Sequence, residues 1–385
     1  MPITKIALTG GPCAGKSNGL SRLDDRFTAL GYKCLQVPEA ATQLKRLGLT
    51  FGNDPLYQSH ILDFQIALEG IAESAAEAMI KSDPDRKILI LCDRGAMDGK
   101  AFVSESDFKA ILDSRCLTEN DARDRYDAVF HLETAAKGAE KYYTLANNDA
   151  RTETPEQARD IDDRLISSWV GHPHLRIIDN RAGFDDKIDR LVSEISGFLG
   201  EPEPLEIERK FLIAYPDLAM LEAMPNVKKI DISQTYLDPD SGNNMRVRQR
   251  GSDGSYSYFL TSKKDISPTV RIEDEIRISK GEYKAHLEHA SPSARTIEKS
   301  RYCIAHNGSY FELDIYPFWN DRAVLEIELL DADSPVDIPE WVNIIKEVTG
   351  DKRYGNFELA RTVGKPAPKG PMAELGAIAD KDMGD

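Results

Sequence analysis

Charged residues in the second half of the chain recur at every second position, which is the period of a β-strand. The segment EIERKF, 206–211, sets the pattern, because its apolar Ile207 and Phe211 lie on the face opposite two glutamates and a lysine, and Arg209 alone breaks the alternation. Such alternation predicts antiparallel strands with one apolar face and one charged face. The residues on the charged faces are Glu206, Glu208, Lys210, Arg246, Arg248, Arg250, Lys263, Arg271, Glu273, Glu275, Lys299, Arg301, Glu312, Asp314, Glu326 and Glu328.

These charges are grouped by sign along the strands. A half-buried sheet normally turns its charged face to water, and that remains one explanation. Like charges two residues apart, however, lie about 7 Å from each other and repel, and solvated faces usually mix the two signs. A barrel with its charges inside explains the grouping if the carboxylates hold Mg²⁺ or Mn²⁺ and the cations hold a polyanion. A metal-bound triphosphate satisfies both requirements.

The character of the chain changes once, near FLGEPEPLE at 198–206. Before this segment, helix-like stretches alternate with apolar strand-like runs at 5–10, 34–39, 87–93, 126–133 and 175–180, which predicts a parallel sheet covered by helices. After it, short alternating strands predict an antiparallel α+β domain with helices near 280–289 and 339–349. We therefore expect a multidomain protein, with an α/β domain over 1–200, an α+β domain over 204–362 and a loose tail over 363–385.

A phosphate-binding motif follows the first strand-like run. GGPCAGKS, Gly10 to Ser17, matches G-x-x-x-x-G-K-[ST] and opens a helix-like segment. In this motif the backbone N–H groups surround phosphate oxygens, the lysine reaches the β and γ phosphates, and the hydroxyl holds Mg²⁺. Gly10, Gly11, Gly15, Lys16 and Ser17 are therefore predicted to bind a nucleotide. The alternative is a glycine-rich turn without a ligand.

Further polar residues are expected at the same edge of the sheet. Glu39 ends the second strand, Asp93 and Arg94 end the third, and ligands of parallel sheets bind at the carboxyl ends of strands. Asp93 could hold a water bound to Mg²⁺, and Glu39 could accept the proton of a substrate hydroxyl. A helix cap and a solvated acid are the respective alternatives. Arg151 and Arg159, in a polar helical stretch before the fifth strand, are predicted to form either a phosphate lid or surface ion pairs.

Composition and sequence order exclude several other classes of protein. A formal net charge of −16 over 385 residues argues against nucleic-acid binding. The longest aliphatic run, ILIL at 88–91, is too short for a transmembrane segment. No secretory signal is recognisable at the start, so we expect a cytoplasmic protein. The five cysteines contain no C-x-x-C pair, which is typical of reduced thiols.

The first half resembles the P-loop nucleoside and nucleotide kinase group. Its strand ends PEAAT and CDRG, together with the lid segment, are similar to the ATPase domain shared by nicotinamide riboside kinases and the insect TRPL translocation defect protein. This resemblance covers about residues 1–200. It implies binding of ATP or GTP with Mg²⁺, without implying which acceptor, if any, is phosphorylated.

The second half resembles the CYTH domain of the triphosphate tunnel metalloenzymes. The resemblance lies in the series E-x-E-x-K, QTYL, R-x-R, LTSK, R-x-E-x-E, K-x-R, E-x-D, E-x-E and VTGDKRYGN, over about 204–362. It implies an eight-stranded antiparallel tunnel. It also implies metal binding by Glu206, Glu208, Asp314, Glu326 and Glu328, with Glu312 nearby, and phosphate binding by Lys210, Arg246, Arg248, Lys263, Arg271, Lys299 and Arg301. Lys352, expected just after a helix, is either a plug or leaving-group contact or a solvated lysine.

These observations favour a divalent-metal-dependent triphosphate hydrolase fused to an ATP- or GTP-binding P-loop domain. Two alternatives remain open at this point. In the first, the protein is nucleotide-regulated and its tunnel binds polyphosphate or phosphoinositide headgroups without turnover. In the second, the P-loop domain is a small-molecule kinase and the tunnel domain regulates it.

Overall fold

The computed structural model describes residues 2–49, 54–140, 143, 153–181, 183–201, 205–237, 244–265, 270–329 and 335–363. Within these ranges, the side chains of residues 205, 206, 244, 263–265, 270–274 and 363 lie outside the description. The predicted tail also lies outside it, apart from residue 363. The two halves of the chain form two separate sheets, one parallel and one antiparallel, as the sequence predicts.

The first half folds around a five-stranded parallel sheet. Its strands are β1 (Ile3–Gly10), β2 (Tyr32–Val37), β3 (Lys87–Asp93), β4 (Ala128–Leu132) and β5 (Leu175–Ile178). They coincide with the five apolar runs of the sequence and lie in the order β2-β3-β1-β4-β5. Because β1 is central, between β3 and β4, the loop that follows it lies at the middle of the carboxyl edge of the sheet.

Helices cover both faces of this sheet. They are α1 (Lys16–Ala29), α2 (Ala40–Arg46), α3 (Pro55–Ser82), α4 (Glu105–Asp113), α5 (Glu119–Arg123), α6 (Pro155–Trp169) and α7 (Phe184–Phe198). Asp54 caps α3 by accepting the N–H of Leu56. One apolar core, which includes Leu191, lies under α1 and α7, and another, which includes Phe108 and Trp169, lies under α3, α4 and α6.

The second half forms a nine-stranded antiparallel sheet that closes on itself. Its strands are β6 (Leu205–Ala214), β7 (Val227–Tyr236), β8 (Asn244–Ser252), β9 (Ser255–Asp265), β10 (Val270–Ile278), β11 (Ile297–His306), β12 (Ser309–Ile315), β13 (Arg322–Leu329) and β14 (Ile344–Glu347). The order is β10-β9-β8-β7-β11-β12-β13-β6-β14, and β10 also pairs with β6. Eight strands therefore close into the expected tunnel, and β14 is an additional strand on β6.

Short helices accompany the barrel in the described part of this half, namely α8 (Leu218–Glu222), α9 (Lys280–Leu287) and α10 (Asn356–Val363). Helix α9 confirms the helix predicted near 280–289. The helix predicted over 339–349 is wrong, because Ile344–Glu347 form β14. The local sequence has helical spacing, but the edge of β6 at 211–213 offers backbone groups that β14 pairs with.

Apolar side chains pack around the barrel and at one of its ends. Phe211 and Ile213, on the outer face of β6, belong to a cluster that also contains residues of α8. Leu212, on the inner face, packs with Tyr316 and with Leu359 of α10. The inner face is therefore apolar at this end and charged further along the strands.

The first domain covers the opposite end of the barrel. Ile232 and Tyr310, on inner faces, lie in the same apolar cluster as Leu175 of β5. The Tyr310 hydroxyl accepts the N–H of Gly171 and donates to the carbonyl of His172, both at 3.0 Å. The two halves thus share one continuous core. Among the helices within the described ranges, none is long and apolar enough to cross a membrane.

Candidate functional site

The loop between β1 and α1 has a backbone shape that requires glycine. Gly10 and Gly15 have φ values of 149° and 92°, which other residues rarely adopt. A Cβ on Gly10 would lie 2.2 Å from the carbonyl oxygen of Leu132. Lys16 Nζ donates to the Gly10 carbonyl at 3.0 Å, and Ser17 lies in the first turn of α1. The predicted motif therefore forms a tight turn around its own lysine.

Three side chains from strand ends share a cleft with this lysine. Glu39 follows β2, Asp93 ends β3 and Arg94 comes next. Arg94 Nε donates to Glu39 Oε1 at 2.5 Å. Burial would raise the pKa of Glu39, but attraction to Arg94 and Lys16 outweighs burial and lowers the pKa to about 2. The pair is therefore ionised at neutral pH, and the structure brings all the predicted strand-end residues together.

Two polar atoms in the cleft are buried without a hydrogen-bond partner among the described residues, namely Asp93 Oδ1 and Arg94 Nη1. Burial raises the pKa of Asp93. Burial and the nearby Arg94 lower the pKa of Lys16 to about 8. A buried polar atom without a partner costs about 1–3 kcal/mol. A phosphate chain with hydrated Mg²⁺ would supply both missing partners, so these residues fit that group.

The cleft is larger than a phosphate site. Its volume is about 1400 Å³, which exceeds the roughly 300–1000 Å³ of a typical single-ligand pocket. Beyond the phosphate-binding loop it extends past Tyr57 and Gln65 of α3 and reaches Phe108 of α4. On its other side it reaches Asn180 and Lys187. The cleft therefore has room for a nucleotide and a second small molecule.

Asp162 of α6 supports the loop, although the sequence analysis did not single it out. Its Oδ1 accepts the N–H of Gly11 at 2.9 Å, and its Oδ2 lies 2.8 Å from Lys137 Nζ. Burial opposes ionisation of Asp162, but His131 and Lys137 hold its pKa well below the usual range. A signal was present, because Asp162 lies on the buried face of α6 with Leu165, where helical periodicity predicts an apolar residue.

Of the two arginines predicted for a lid, the structure describes one. Arg151 lies outside the described residues. Arg159 of α6 donates to the carbonyl of Ala136 at 2.7 Å and to Glu156 at 3.1 Å. It is not among the described residues that line the cleft. Arg159 therefore forms a surface ion pair, which was the alternative to a lid.

Inside the barrel, buried carboxylates and cations pair with one another around Arg301 of β11. Its Nε and Nη2 lie 2.7 Å from the two oxygens of Asp314, Nη2 lies 3.1 Å from Glu326, and Nη1 contacts Glu312. Lys299 also contacts Asp314. Strand register explains the cluster, because Arg301 is opposite Asp314 on β12 and Glu312 is opposite Glu326 on β13.

Lys210 of β6 extends this cluster. Its Nζ lies 2.8 Å from Glu326 and 3.5 Å from Glu208, and each of these carboxylate residues is 8% exposed. Burial disfavours the charged form of Glu326, but attraction to Lys210 and Arg301 holds its pKa far below the usual range. Burial and the charge of Arg301 lower the pKa of Lys299 to about 8. The charges inside the barrel therefore stabilise each other.

Arginines of β8 face the same interior from the opposite wall. Arg248 Nη2 donates to both oxygens of Glu275 at 2.7 Å, and the Thr261 hydroxyl donates to that carboxylate at 2.7 Å. Burial would raise the pKa of Glu275, but Arg248 and His174 hold it well below the usual value. Arg248 Nε is buried without a hydrogen-bond partner in the described part of the chain. Arg246, also buried, shares this face.

Arg250 and Glu328 are charged residues of the barrel that contact the first domain. Arg250 Nη2 donates to the carbonyl of Gly171 at 2.8 Å, and its Nη1 lies 3.7 Å from Asp124. Glu328 of β13 pairs with Arg176 of β5. Arg176 is not predictable from the pattern of charges, because a period of two shows which face of a strand carries a charge and not which element faces it.

The remaining predicted residues of the tunnel fall into two groups. The side chains of Glu206, Lys263 and Arg271 lie outside the description. Lys352 was expected just after a helix, and this is wrong, because it follows β14 and begins a 3₁₀ turn, Lys352–Tyr354. Its side chain is exposed, as the alternative of a solvated lysine predicts.

The barrel carboxylates have the chemistry of a divalent-metal site. Glu208 is opposite Glu328, and Glu312 is opposite Glu326, so like charges face each other and require cations between them. Lysine and arginine side chains supply that charge. Across the described ranges, no three His, Cys, Asp or Glu residues are grouped so as to hold a metal ion. Oxygen ligands of this kind suit Mg²⁺ or Mn²⁺, but metal binding here requires that ion pairs be exchanged.

Family comparisons divide the chain in the same way. Residues 5–187 match the AAA domain family, and residues 204–354 match the CYTH domain family. The chain therefore carries an AAA domain in its first half and a CYTH domain in its second half. These matches confirm the resemblances of both halves to a P-loop kinase-like domain and to a CYTH domain.

Solved structures similar to this AAA–CYTH chain include an inorganic triphosphatase, 32% identical, with coverage of 41% of this chain and 95% of that protein and a TM-score of 0.29. A Pyrococcus horikoshii protein is 18% identical, with coverage of 33% and 81% and a TM-score of 0.26. Deoxyadenosine kinase from M. mycoides with bound dATP is 16% identical, with coverage of 50% and 99% and a TM-score of 0.30. A comparison with curated proteins gives no match.

Proposed function

We propose that the CYTH domain hydrolyses a phosphoanhydride bond of an inorganic or nucleoside triphosphate with Mg²⁺ or Mn²⁺, and that the AAA domain binds ATP or GTP. The observation that carries the proposal is the buried cluster of opposite charges around Arg301 inside the closed barrel. Burying an ion costs several kcal/mol, so a barrel interior filled with ions is a poor way to gain stability. It is a good way to bind a ligand that carries both signs. The CYTH match supports the same function.

The cations of the tunnel would bind the phosphate chain. Arg248 and Arg301 offer guanidinium groups, which contact phosphoryl oxygens in pairs, and Lys210 and Lys299 offer single charges. Arg248 Nε already lacks a partner in the described structure, so binding leaves it better satisfied. Arg246 belongs to the same wall, and Lys263 and Arg271 would complete the set.

The carboxylates would hold the metal. The proposed ligands are Glu206, Glu208, Asp314, Glu326 and Glu328, with Glu312 beside them. When bound, a divalent metal supplies Lewis acidity that screens the phosphates and makes a bound water more acidic. Ser17 and Asp93 are the corresponding proposed ligands at the P-loop.

In the proposed reaction a water attacks the terminal phosphorus of the triphosphate in line with the bridging oxygen. The bond between that phosphorus and the bridging oxygen breaks, and its electron pair stays with the leaving diphosphate. The products are orthophosphate, one proton, and either diphosphate from an inorganic triphosphate or a nucleoside diphosphate from a nucleoside triphosphate. Arg301 and Lys210, freed from their carboxylates, would stabilise the charge on the oxygens as it develops.

The test is phosphate release by the full chain from tripolyphosphate and from nucleoside triphosphates, with Mg²⁺, Mn²⁺ or EDTA. We expect release only with metal, and we expect Glu208→Gln combined with Glu328→Gln to reduce it at least about a hundredfold, the scale of losing a few charged contacts. Glu298→Gln is the matched control, because Glu298 is exposed on β11. If the double variant retains wild-type activity, hydrolysis in the tunnel is wrong.

A binding protein without turnover would give a different result. Tripolyphosphate, or liposomes that contain phosphoinositides, would then bind to the full chain without any release of phosphate. The pairing of the described carboxylates with cations, rather than around a metal position, is the observation that favours this candidate.

A second candidate function concerns the AAA domain alone, and the size of its cleft favours it. The cleft continues from Lys16 to Glu39 and beyond, so an acceptor hydroxyl could bind beside the γ phosphate. Glu39, ionised at neutral pH, would accept the proton of that hydroxyl. Incubation of the full chain with nucleosides and labelled ATP tests this, with Lys16→Ala and Glu39→Gln as inactive variants. Label that remains in ATP and orthophosphate alone would contradict it.

A further inference from the structure

Arg176 is the second residue of β5 in the AAA domain, and its guanidinium lies at the CYTH barrel. Its Nη2 donates to Glu328 Oε2, its Nη1 donates to the Leu175 carbonyl at 3.2 Å, and its Nε lies 3.8 Å from Glu194. The Arg176 side chain is 23% exposed and that of Glu328 30% exposed, so neither is fully shielded from solvent. The ion pair is therefore a contact between domains that a ligand can reach.

The position of Glu328 places this contact inside the tunnel and not only at the interface between the domains. Glu328 lies on the inner face of β13 with Glu326, directly opposite Glu208 of β6. Two carboxylates in opposite positions of an antiparallel pair repel each other. Lys210 lies between Glu208 and Glu326, and Arg176 supplies the positive charge at Glu328. A residue of the first domain thus belongs to the charge pattern of the tunnel.

A neighbour of Arg176 approaches the tunnel on another strand. His174, just before β5, has its Nε2 3.9 Å from Glu275 Oε1, and Glu275 is the carboxylate that Arg248 holds with two bonds. The beginning of β5 therefore faces acidic residues of both β13 and β10. These strands lie on either side of β6, so the AAA domain covers the acid-rich end of the tunnel and not a distant outer surface.

We propose that Arg176 is a phosphate-binding residue of the tunnel, supplied in cis by the AAA domain, and that it contacts the end of a bound triphosphate. This rests on the proposed function of the tunnel. Glu328 neutralises the guanidinium in the absence of a ligand. When the carboxylate turns to the divalent cation that accompanies the triphosphate, the guanidinium becomes available to phosphoryl oxygens, which it can contact in pairs. Arg176 is a binding residue in this proposal, and the bond-breaking step is unchanged.

The chain offers a matched control for this proposal. Arg181, which follows β5, also donates across the two domains, to the carbonyl of Asn307 at 2.7 Å, and it pairs with Asp179 at 3.2 Å. No carboxylate of the tunnel is among these contacts. Arg181→Ala therefore removes an arginine that bonds across the two domains, without touching the tunnel.

The experiment is calorimetric titration of the full chain with tripolyphosphate, in Mg²⁺ and in EDTA. We expect Arg176→Ala to weaken binding about ten- to a hundredfold, the range for a hydrogen bond to a charged group. Arg176→Lys should lie between Arg176→Ala and the wild type, and Arg181→Ala should stay within about twofold of the wild type. Thermal unfolding of each variant checks that it is folded. Wild-type affinity in Arg176→Ala overturns the proposal.

A double variant separates phosphate binding from mere neutralisation of Glu328. If Arg176 contacts phosphate, Glu328→Gln frees the guanidinium, and this single variant should bind tripolyphosphate in EDTA at least about tenfold more tightly than Arg176→Ala with Glu328→Gln. If Arg176 only cancels the charge of Glu328, the single and double variants bind equally in EDTA, and the proposal is wrong. A wild-type chain that binds no tripolyphosphate overturns the proposed function and Arg176 with it, whereas unchanged binding in Arg176→Ala overturns Arg176 alone.

Discussion

The two sites of this chain satisfy their polar groups in opposite ways. In the AAA cleft, Asp93 Oδ1 and Arg94 Nη1 are buried without partners among the described residues. In the CYTH tunnel, Arg301, Lys299 and Lys210 are each held by buried carboxylates. The cleft is thus arranged in advance for a ligand, whereas the tunnel is arranged around its own charges.

This difference determines what each site can bind. The unpartnered atoms of the cleft have no hydrogen bond to lose, so a phosphate chain with hydrated Mg²⁺ suits the cleft as it stands. A ligand that contacts Arg301, Lys299 or Lys210 in the tunnel must break their ion pairs, and a simple anion would then leave the carboxylates buried and unpaired. A ligand that brings its own cation avoids this cost. We therefore expect binding in the tunnel to depend more strongly on divalent metal than binding in the cleft.

The largest expected effect is on stability when the tunnel cluster is broken. Arg301→Ala leaves the buried Asp314 with Lys299 alone and the buried Glu326 with Lys210 alone, and removal of one member of a buried ion pair costs about 3–5 kcal/mol. Urea unfolding measures this loss. Arg209→Ala is the control, because Arg209 and Glu347 form a similar two-bond pair on the exposed side of the same sheet, worth about 0–1 kcal/mol. Equal losses in both variants would show that the tunnel is not self-paired.

The next effect is on nucleotide binding. Lys16→Ala should weaken ATP or GTP binding about a hundredfold, because the lysine of this motif would reach the β and γ phosphates, and should leave tripolyphosphate affinity in the tunnel within about twofold. Calorimetric titration with each ligand separates the two results. Lys33→Ala, at an exposed position of β2, serves as the control. Loss of tripolyphosphate binding in Lys16→Ala would place both ligands in the cleft. It would contradict the assignment of tripolyphosphate to the tunnel.

The smallest expected effect comes from the surface between the two sites. His172 is fully buried there, its Nε2 lies 3.0 Å from the Tyr126 carbonyl, and its Nδ1 accepts the N–H of His174. Burial lowers its pKa from 6.5 to about 3, so between these values the unfolded chain binds a proton that the folded chain does not. This contribution to stability is fully present above pH 6.5 and is lost as the pH falls towards 3.

Between pH 7.5 and pH 5.5, the free energy of unfolding of the wild type should therefore fall by about 1.4 kcal/mol more than that of His172→Gln. Urea unfolding at the two pH values measures the difference. His60→Gln, at an exposed position of α3, should behave as the wild type does. If His172→Gln keeps the full pH dependence, then His172 is protonated in the folded chain and the buried contact is misassigned.

Local patterns predicted most of the fold and the centre of each site. The parallel strands are apolar runs, so their positions follow from hydrophobicity alone. The loop from Gly10 to Ser17 has a backbone that requires glycine at Gly10 and Gly15, as its motif supplies. The charged cluster followed from strand period, because a period of two fixes the face of every residue. Arg301 and Asp314, predicted to share an interior, are in direct contact.

The features that the sequence could not predict are those that depend on which elements of the fold contact each other. Strand β14 has a helical pattern, and it is a strand because the edge of β6 is open to it. Arg176 has no local signal, since its role arises where β5 approaches β13. Arg250 fits the charged pattern of its strand, yet it donates to Gly171 of the other domain. These outcomes depend on contacts between distant segments, which a pattern within one segment does not contain.

The core shared by Ile232, Tyr310 and Leu175 determines how the two domains can be studied. Truncation of the chain near residue 200 would expose an apolar surface on both fragments. It would also separate Arg250 from Asp124. Each fragment would then tend to aggregate, and assays on the separate fragments would measure misfolded protein. Point changes in the intact polypeptide are the sounder way to dissect it.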